Sequence, residues 1–425
     1  AEAANAHQLN QGDAGEVGLW SATTDFHDDT DLPDNAVGLV AKRKRFMRLV
    51  QRFALAAVML CPLDNVIAQR STPADSVADS VSSVTPREPR PRGRRFYTGI
   101  SWGSESQFNP LSELINEGFN DLVIESSDMR LFNQPYAASW KNLKHNLLHV
   151  RASFKQYGTR RAIRNELLPL TGFDGGQWFP NYTDHFIGNG MVSVRLEEWY
   201  AQHGYPAPLA LSVLTMMAAH VTNEVIERPR YWSLDPLADL LVFDPLGMVL
   251  FRSDVVQRVF SGPVRLTNWA GQPMIVAPDG RLENASEEFK FTFALPRTSR
   301  VQGFVMTGLN VLGGATYTAA SGRALSLGIG RGSDVVQLTD STSDVRTVRL
   351  GARAGVFYDR EGSLLASLVY DGSRNGLVKL NIYPGIVRVR GTSPGFWLDV
   401  RRNGLRFGLA APFGMGVAYG TVQPK

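Results

Sequence analysis

The residues best suited to chemistry stand at the end of one apolar helix. The run Leu-Ala-Leu-Ser-Val-Leu-Thr-Met-Met-Ala-Ala follows Pro208 and leads into His220, Asn223, Glu224 and Glu227. His220 and Glu224 are four residues apart and share a helical face, with Glu227 within a turn. Imidazole and carboxylate side chains so spaced are the donors of a metal site or a general base. His185, on another predicted helix, is the candidate to join them, so a catalytic reading takes His185, His220 and Glu224. No His-Glu-x-x-His zinc motif occurs, and the third ligand, the metal and any cofactor stay open.

Each of these residues also has a plainer reading. Buried charge is costly unless paired or ligated, so the polar helix end could lie at a surface and pair with Arg195 or Arg228. His185 precedes Gly188 and Gly190, which marks close helix packing as well as it marks catalysis. His145 and His149 are flanked by Lys144 and Arg151 and read as a solvated face rather than a metal site. Asp235-Pro and Asp244-Pro read as helix caps or starts. There is no Gly-x-Ser-x-Gly elbow and no phosphate loop. Gly328-Ile-Gly330-Arg-Gly332 lies in strand sequence with no helix after it and is not a dinucleotide loop.

The elements that must position these residues fall into two regions. Residues 96–260 carry helical spacing: Leu111–Glu125, Trp140–Tyr157, Gly188–His203, Pro208–Glu227 and Leu237–Phe251, the last ended or kinked by Pro245. Pro208–Glu227 begins apolar all round, as a helix buried in protein or lipid does. Residues 261–425 alternate with period two. Phe289, Phe291 and Phe293 share a face, as do Leu325, Leu327 and Ile329, and the stripe from Leu405 to Tyr419 is the longest. Turn sequences such as Asp371-Gly-Ser and Arg402-Asn-Gly separate the runs. The fold class expected is α+β: a helical module followed by a C-terminal antiparallel β-barrel of roughly 8–10 strands.

Alternation does not say where the apolar face points. Three features predict an outer-membrane barrel with its apolar face in lipid. The strands at 301–318 and 405–419 read as long. The opposite face is Gly, Ala, Ser and Arg. Tyr358, Tyr370, Tyr383 and Tyr419 fall near strand ends, where a headgroup girdle would sit. Against this, the chain ends Thr-Val-Gln-Pro-Lys rather than on an aromatic. The alternative is a soluble periplasmic protein that binds an apolar ligand inside a barrel.

Location is read from residues 47–68, a signal peptide: Met-Arg-Leu-Val-Gln-Arg, then an apolar run through Cys61, then Val66 and Ala68 as small residues at a cleavage point. The apolar run is too short for a span of about 20 residues. Residues 1–46, acidic and aperiodic, are expected to be disordered, non-native sequence upstream of a start at Met47. Residues 69–95 read as a disordered linker rich in Ser, Pro and Arg. Cleavage removes Cys61, the only cysteine, and shifts the net charge from +4 to about +7. A cysteine-free exported chain must be held by packing or strand closure. The basic clusters carry no nucleic-acid motif, so outer-membrane lipid is the partner expected and nucleic acid is not.

One block carries a resemblance. Asn181-Tyr-Thr-Asp-His185-Phe-Ile-Gly188, Glu197-Glu198-Trp199, His220-Val-Thr-Asn223-Glu224 and Asp244-Pro-Leu-Gly247-Met248 resemble a family of bacterial envelope proteins. These pair a helical domain of unknown function, bearing His-x-x-Gly and Asp-Pro-x-Gly-Met motifs, with β-rich sequence. The resemblance covers roughly residues 140–252 and implies an envelope location and a helical module coupled to a barrel. It implies no reaction. The expected role is a structural or binding protein of the outer membrane or periplasm of a Gram-negative bacterium. The alternative is an envelope hydrolase acting on lipid or glycan.

Overall fold

A computed structural model describes residues 95–420, apart from 125–128, 169–177, 228–233, 278, 297, 299, 339–345 and 373–375. The expected upstream extension, signal peptide and all but the last residue of the linker lie outside the described residues.

The helical module comes first. Helix α1 (Pro110–Gly118) starts where Asn109 accepts hydrogen bonds from the Leu111 and Ser112 backbone N–H groups, with Pro110 in the first turn. Its buried side is the polar one: Ser112, Glu113, Asn116 and Glu117 are buried, while Leu111, Leu114 and Ile115 are half-buried. The single helix expected over 140–157 is broken at His149 into α2 (Tyr136–Leu148) and α3 (Val150–Tyr157). Helix α4 (Gly190–Gln202) continues a π-helical stretch, Asn181–Asn189. Helix α5 (Pro208–Ile226) is long and apolar enough to cross a membrane, but Met216, Ala219, His220 and Glu224 are turned into the module. Pro245 neither ends nor sharply breaks its helix. The five residues before α6 (Asp244–Leu250) form another π turn, Asp239–Phe243, whose wider ring replaces the bond that proline cannot make. Helix α7 (Asp254–Ser261) closes the module.

The strands form one mostly antiparallel sheet of thirteen among the described residues, more than the 8–10 expected. They are β1 (Val264–Asn268), β2 (Met274–Val276), β3 (Arg281–Glu283), β4 (Glu288–Ala294), β5 (Val301–Gly308), β6 (Asn310–Thr318) and β7 (Arg323–Leu338). After them come β8 (Arg346–Arg360), β9 (Ser363–Gly372), β10 (Gly376–Ile382), β11 (Gly395–Arg401), β12 (Gly404–Ala410) and β13 (Gly416–Gly420). The sheet runs β1-β4-β5 and onward to β13, then β2-β3, and is not closed. Its one parallel contact is β13 with β2. The two ends belong to a single hairpin: Asn268 opposite Phe289 and Met274 opposite Glu283 keep one register. The Trp269 and Gly271 N–H groups carry the same ladder between them, donating to Glu288 and Ser286 carbonyls. The strand count was underestimated because each arm of this hairpin divides in two, and because two runs read as single strands each form two.

Two runs expected to be single long strands are hairpins. Residues 301–318 turn at Gly308, where φ is 117°, and 405–419 turn through Ala411–Met415, where Gly414 has φ 87°. Alternation continued across both turns and hid them. Among the described strands, those long enough for a bilayer are β6, β7, β8 and β9, of 9, 16, 15 and 10 residues.

One face of the sheet leaves large apolar side chains exposed, while the other buries polar and charged groups beside Phe304, Met306, Leu312, Phe357 and Trp397. Leu327 is 56% exposed, Ile329 74%, Val417 65%, and Phe407 and Phe413 45% each. Their neighbours on the other face, Ser326, Thr316, Arg353, Asp371, Asp399 and Arg406, are buried. These buried groups satisfy one another: Arg353 pairs with Asp371 at 2.8 Å, Arg401 with Glu283 at 2.9 Å, and Arg406 with Glu283. The expected tyrosine girdle is partial. Tyr370 and Tyr419 are exposed, but Tyr383 is buried and donates to the Ala270 carbonyl at 2.9 Å.

The module packs on the hairpin. Leu266 and Phe289 join Met191, Leu196, Trp199 and Phe251 in one apolar core. Asn116 ties α1 to both arms, accepting the Ser286 N–H at 3.0 Å and donating to the Gly271 carbonyl at 3.3 Å. Asn116→Ala leaves a buried donor and a buried acceptor unmade, and is expected to cost about 1–3 kcal/mol, read as a lower thermal midpoint.

Candidate functional site: a buried histidine–carboxylate cluster

Four glycines build the site. An added Cβ at Gly190 would stand 2.7 Å from the Gly247 carbonyl oxygen, and one at Gly247 would stand 2.4 Å from that of Phe186. The backbones of the π stretch and of α6 therefore cross in direct contact. An added Cβ at Gly188 would stand 2.5 Å from the Phe289 ring, so the same stretch is seated closely on β4. This crossing presents His185 to the helix that bears Asp239 and Asp244. Helix α5 approaches α1 at Gly118, whose Cβ would lie 3.1 Å from Thr222, and so sets His220 against Glu117. Two of the three π stretches among the described residues carry site residues, Ile163–Leu167 being the exception.

His185 Nδ1 lies 3.0 Å from Asp244 Oδ1, and its Nε2 lies 3.9 Å from Asp239 Oδ2. His220 Nδ1 is 3.4 Å from Glu117 Oε1 and 3.3 Å from Asp244 Oδ2, and the two imidazole rings are 5.8 Å apart. Asn189 donates to Glu117 Oε1 at 2.9 Å. Asp244 and Glu117 are buried, and His220 is 1% exposed; His185 is the half-buried member and the nearest to solvent. Neither nitrogen of His220 has a hydrogen bond of good geometry. Asp184, beside His185, accepts from Thr307 of β5 at 2.9 Å.

The electrostatics follow from burial and proximity. Burial disfavours ionised Glu117, but hydrogen bonding and the charge of His220, with His185 and Asn189, hold its pKa below the ordinary value. Burial likewise opposes charge on His185, yet the carboxylates of Asp239 and Asp244 hold its pKa well above the usual imidazole range. Glu224, Asp235 and Asp239 are pushed well up by burial and by neighbouring acids.

The structure brings His185 and His220 together. Glu224 is also buried but stands in an adjoining group with Glu227 and Asp235. Glu117, His185 and His220 have donor atoms within 4.8 Å of one another, as do Glu224, Glu227 and Asp235, and only the first trio contains histidine. Arg195 does not serve this patch: it pairs with Glu105 at 2.6 Å and donates to Asn268 at 2.7 Å. Arg228 lies outside the described residues. Asp244 starts α6, as its Asp-Pro sequence predicts, and its side chain turns to the histidines. His145 and His149 stack with centroids 4.3 Å apart at the surface of α2, away from the cluster. Glu117, Asp239 and Asp244 were missed from the sequence. The signal for Glu117 was the polar stripe Ser112, Glu113, Asn116 and Glu117 on a helix otherwise read from its apolar residues. A cavity of about 50 Å³ beside Phe96, Arg195 and Asn268 is a separate feature and borders neither histidine.

No family model, curated protein or solved structure matches this chain. The chemistry of the cluster is therefore read from its geometry. A carboxylate on Nδ1 orients an imidazole and leaves Nε2 for a proton or a metal ion.

Proposed function

We propose that this chain is an exported outer-membrane protein of a Gram-negative cell envelope, with its sheet wrapped as a barrel wall and the helical module packed against it. Its role is structural or binding. The observation that carries the reading is the outward apolar face of the sheet. Large apolar side chains of β5 to β9 and of β12 and β13 face outward, while paired charges and hydroxyls are buried. In water such a surface would be an aggregation hazard; against hydrocarbon it is the expected one. The shared hairpin of β1–β4, touching β5 on one side and β13 on the other, supplies a seam for closure.

Fractionation of cells expressing the full chain tests this. Recovery in outer membranes, resistant to alkaline extraction, is expected. Release with the soluble periplasm would overturn the reading. Ile329→Arg places a charge on the outward face and is expected to cost about 2–4 kcal/mol of stability in lipid vesicles if the residue sits near the midplane. The buried neighbour Ser326→Ala should cost far less.

The convergence of His185, His220 and Asp244 supports a second reading, an envelope hydrolase acting on lipid or glycan through His185 and His220, with Asp244 in the place expected for Glu224. Envelope lipid and glycan profiles would show a product that disappears with His185→Ala. Identical profiles would remove this reading.

A further inference from the structure

We propose that Glu117, His185 and His220, with Asp244 as the orienting carboxylate, form a binding site for one divalent first-row transition metal ion of the zinc class. The inference does not depend on the membrane reading.

Four elements converge on the site: α1 supplies Glu117, the π stretch His185, α5 His220, and α6 Asp244. Two imidazoles among the donors select a borderline ion over magnesium or calcium, which take oxygen ligands. Two carboxylates, Glu117 and Asp244, match the charge of a divalent ion. His185 has its Nδ1 on Asp244 Oδ1 at 3.0 Å, and its Nε2, 3.9 Å from Asp239 Oδ2, is the nitrogen left for a metal; a carboxylate behind the imidazole is the usual second support of a bound metal.

His220 is the independent observation. It is 1% exposed, both of its ring nitrogens lack a well-formed hydrogen bond, and its Nδ1 points between Glu117 and Asp244. A buried imidazole in that state carries an unmet polar cost, which a metal–nitrogen bond removes. The donor atoms of the trio lie within 4.8 Å of one another. Bonds of about 2.0–2.2 Å bring donors to within roughly 4 Å, so side-chain rotation around the ion completes the site.

The surface histidines set the control. His145 and His149 could bind transition ions weakly, as any stacked surface pair could. The full chain should therefore be prepared without a polyhistidine tag, stripped with a chelator and titrated with Zn²⁺ and Co²⁺. The expected result is one equivalent of Zn²⁺ retained through desalting, and visible ligand-field bands with Co²⁺. His149→Ala should leave both unchanged. His220→Asn should abolish retention, and Asp244→Asn should weaken Zn²⁺ about 10–100-fold. Circular dichroism establishes that each variant is folded. If His220→Asn fails to fold, Asp244→Asn and the Co²⁺ spectrum of the parent chain decide the matter. A folded parent chain that retains no Zn²⁺ and gives no Co²⁺ bands overturns the proposal. So does metal retention lost in His149→Ala but unchanged in folded His220→Asn or Asp244→Asn.

Discussion

Gly247→Ala is expected to destabilise the helical module by roughly 3 kcal/mol or more, at or beyond the upper end of ordinary overpacking. The new methyl would stand 2.4 Å from the Phe186 carbonyl oxygen and 3.1 Å from that of His185. Both obstacles are backbone, so no rotamer change relieves them. The only response is to separate the π stretch from α6, which moves His185 away from Asp244. Urea melts should show a large fall in midpoint, and surviving folded protein should bind Zn²⁺ more weakly. Gly204→Ala is the contrast. Nothing lies within 4 Å of its added Cβ, and its φ of 72° leaves only the left-handed backbone penalty of about 1–2 kcal/mol. A similar loss at both positions would show that the crossing is not tightly packed.

In chelator-treated protein, stability is expected to rise as pH falls from about 8 towards about 5, opposite to ordinary acid denaturation. Glu113 contributes strongly, alongside Glu224, Asp235 and Asp239, which burial and neighbouring acids raise in the same direction. Burial, and then the neighbouring charge of Glu117, push the pKa of Glu113 to about 8, against the pull of Arg195. An acid whose folded pKa is raised binds its proton more tightly when folded. Stability is therefore greatest below the unfolded value and declines as pH rises through the window up to the folded pKa. A shift of this size corresponds to roughly 4–5 kcal/mol for one group. Asp184, raised by burial to about 6 despite its bond to Thr307, acts in the same direction over a lower window. His185 adds to the trend, since a histidine with a raised pKa contributes stability at low pH that is lost as pH rises through the folded value. Glu117, whose pKa is lowered, works the other way, but only below the ordinary carboxylate range. Thermal melts across this pH range should show the slope, and Glu113→Gln should reduce it while raising the midpoint near pH 8. A flat profile in the parent chain would mean that these acids are solvated.

These predictions rest on residues of uneven visibility in the sequence. His185 and His220 were legible as candidates because imidazoles are few and their helical setting was clear. Their meeting was not, since it depends on two helix crossings at Gly118 and at Gly190 with Gly247. Glu117 lies far along the chain from both, and no local pattern links them. Asp244 was read as a helix cap or start, and it does start α6, but that reading carried no sign of its site role. Burial between two histidines, not sequence, gives that carboxylate its partners. Pro245 was rightly a signal of irregularity, but whether a helix ends, kinks or widens depends on what packs beside it.

By itself the sequence determined the secondary structure class and its change near residue 260, since helices run to Ser261 and strands begin at Val264. It determined the alternation of the strands, because side-chain direction along a strand is a property of the local backbone. Only the tertiary structure decided which alternate face is buried, where 301–318 and 405–419 turn, and that α1 buries its polar side. Those outcomes depend on long-range pairing and on what lies across the interface. A local period has the same value whether its apolar face meets protein or a different apolar phase. The histidine–carboxylate cluster belongs to the same class of fact: the donors are written in the sequence, and their convergence is made by the packing.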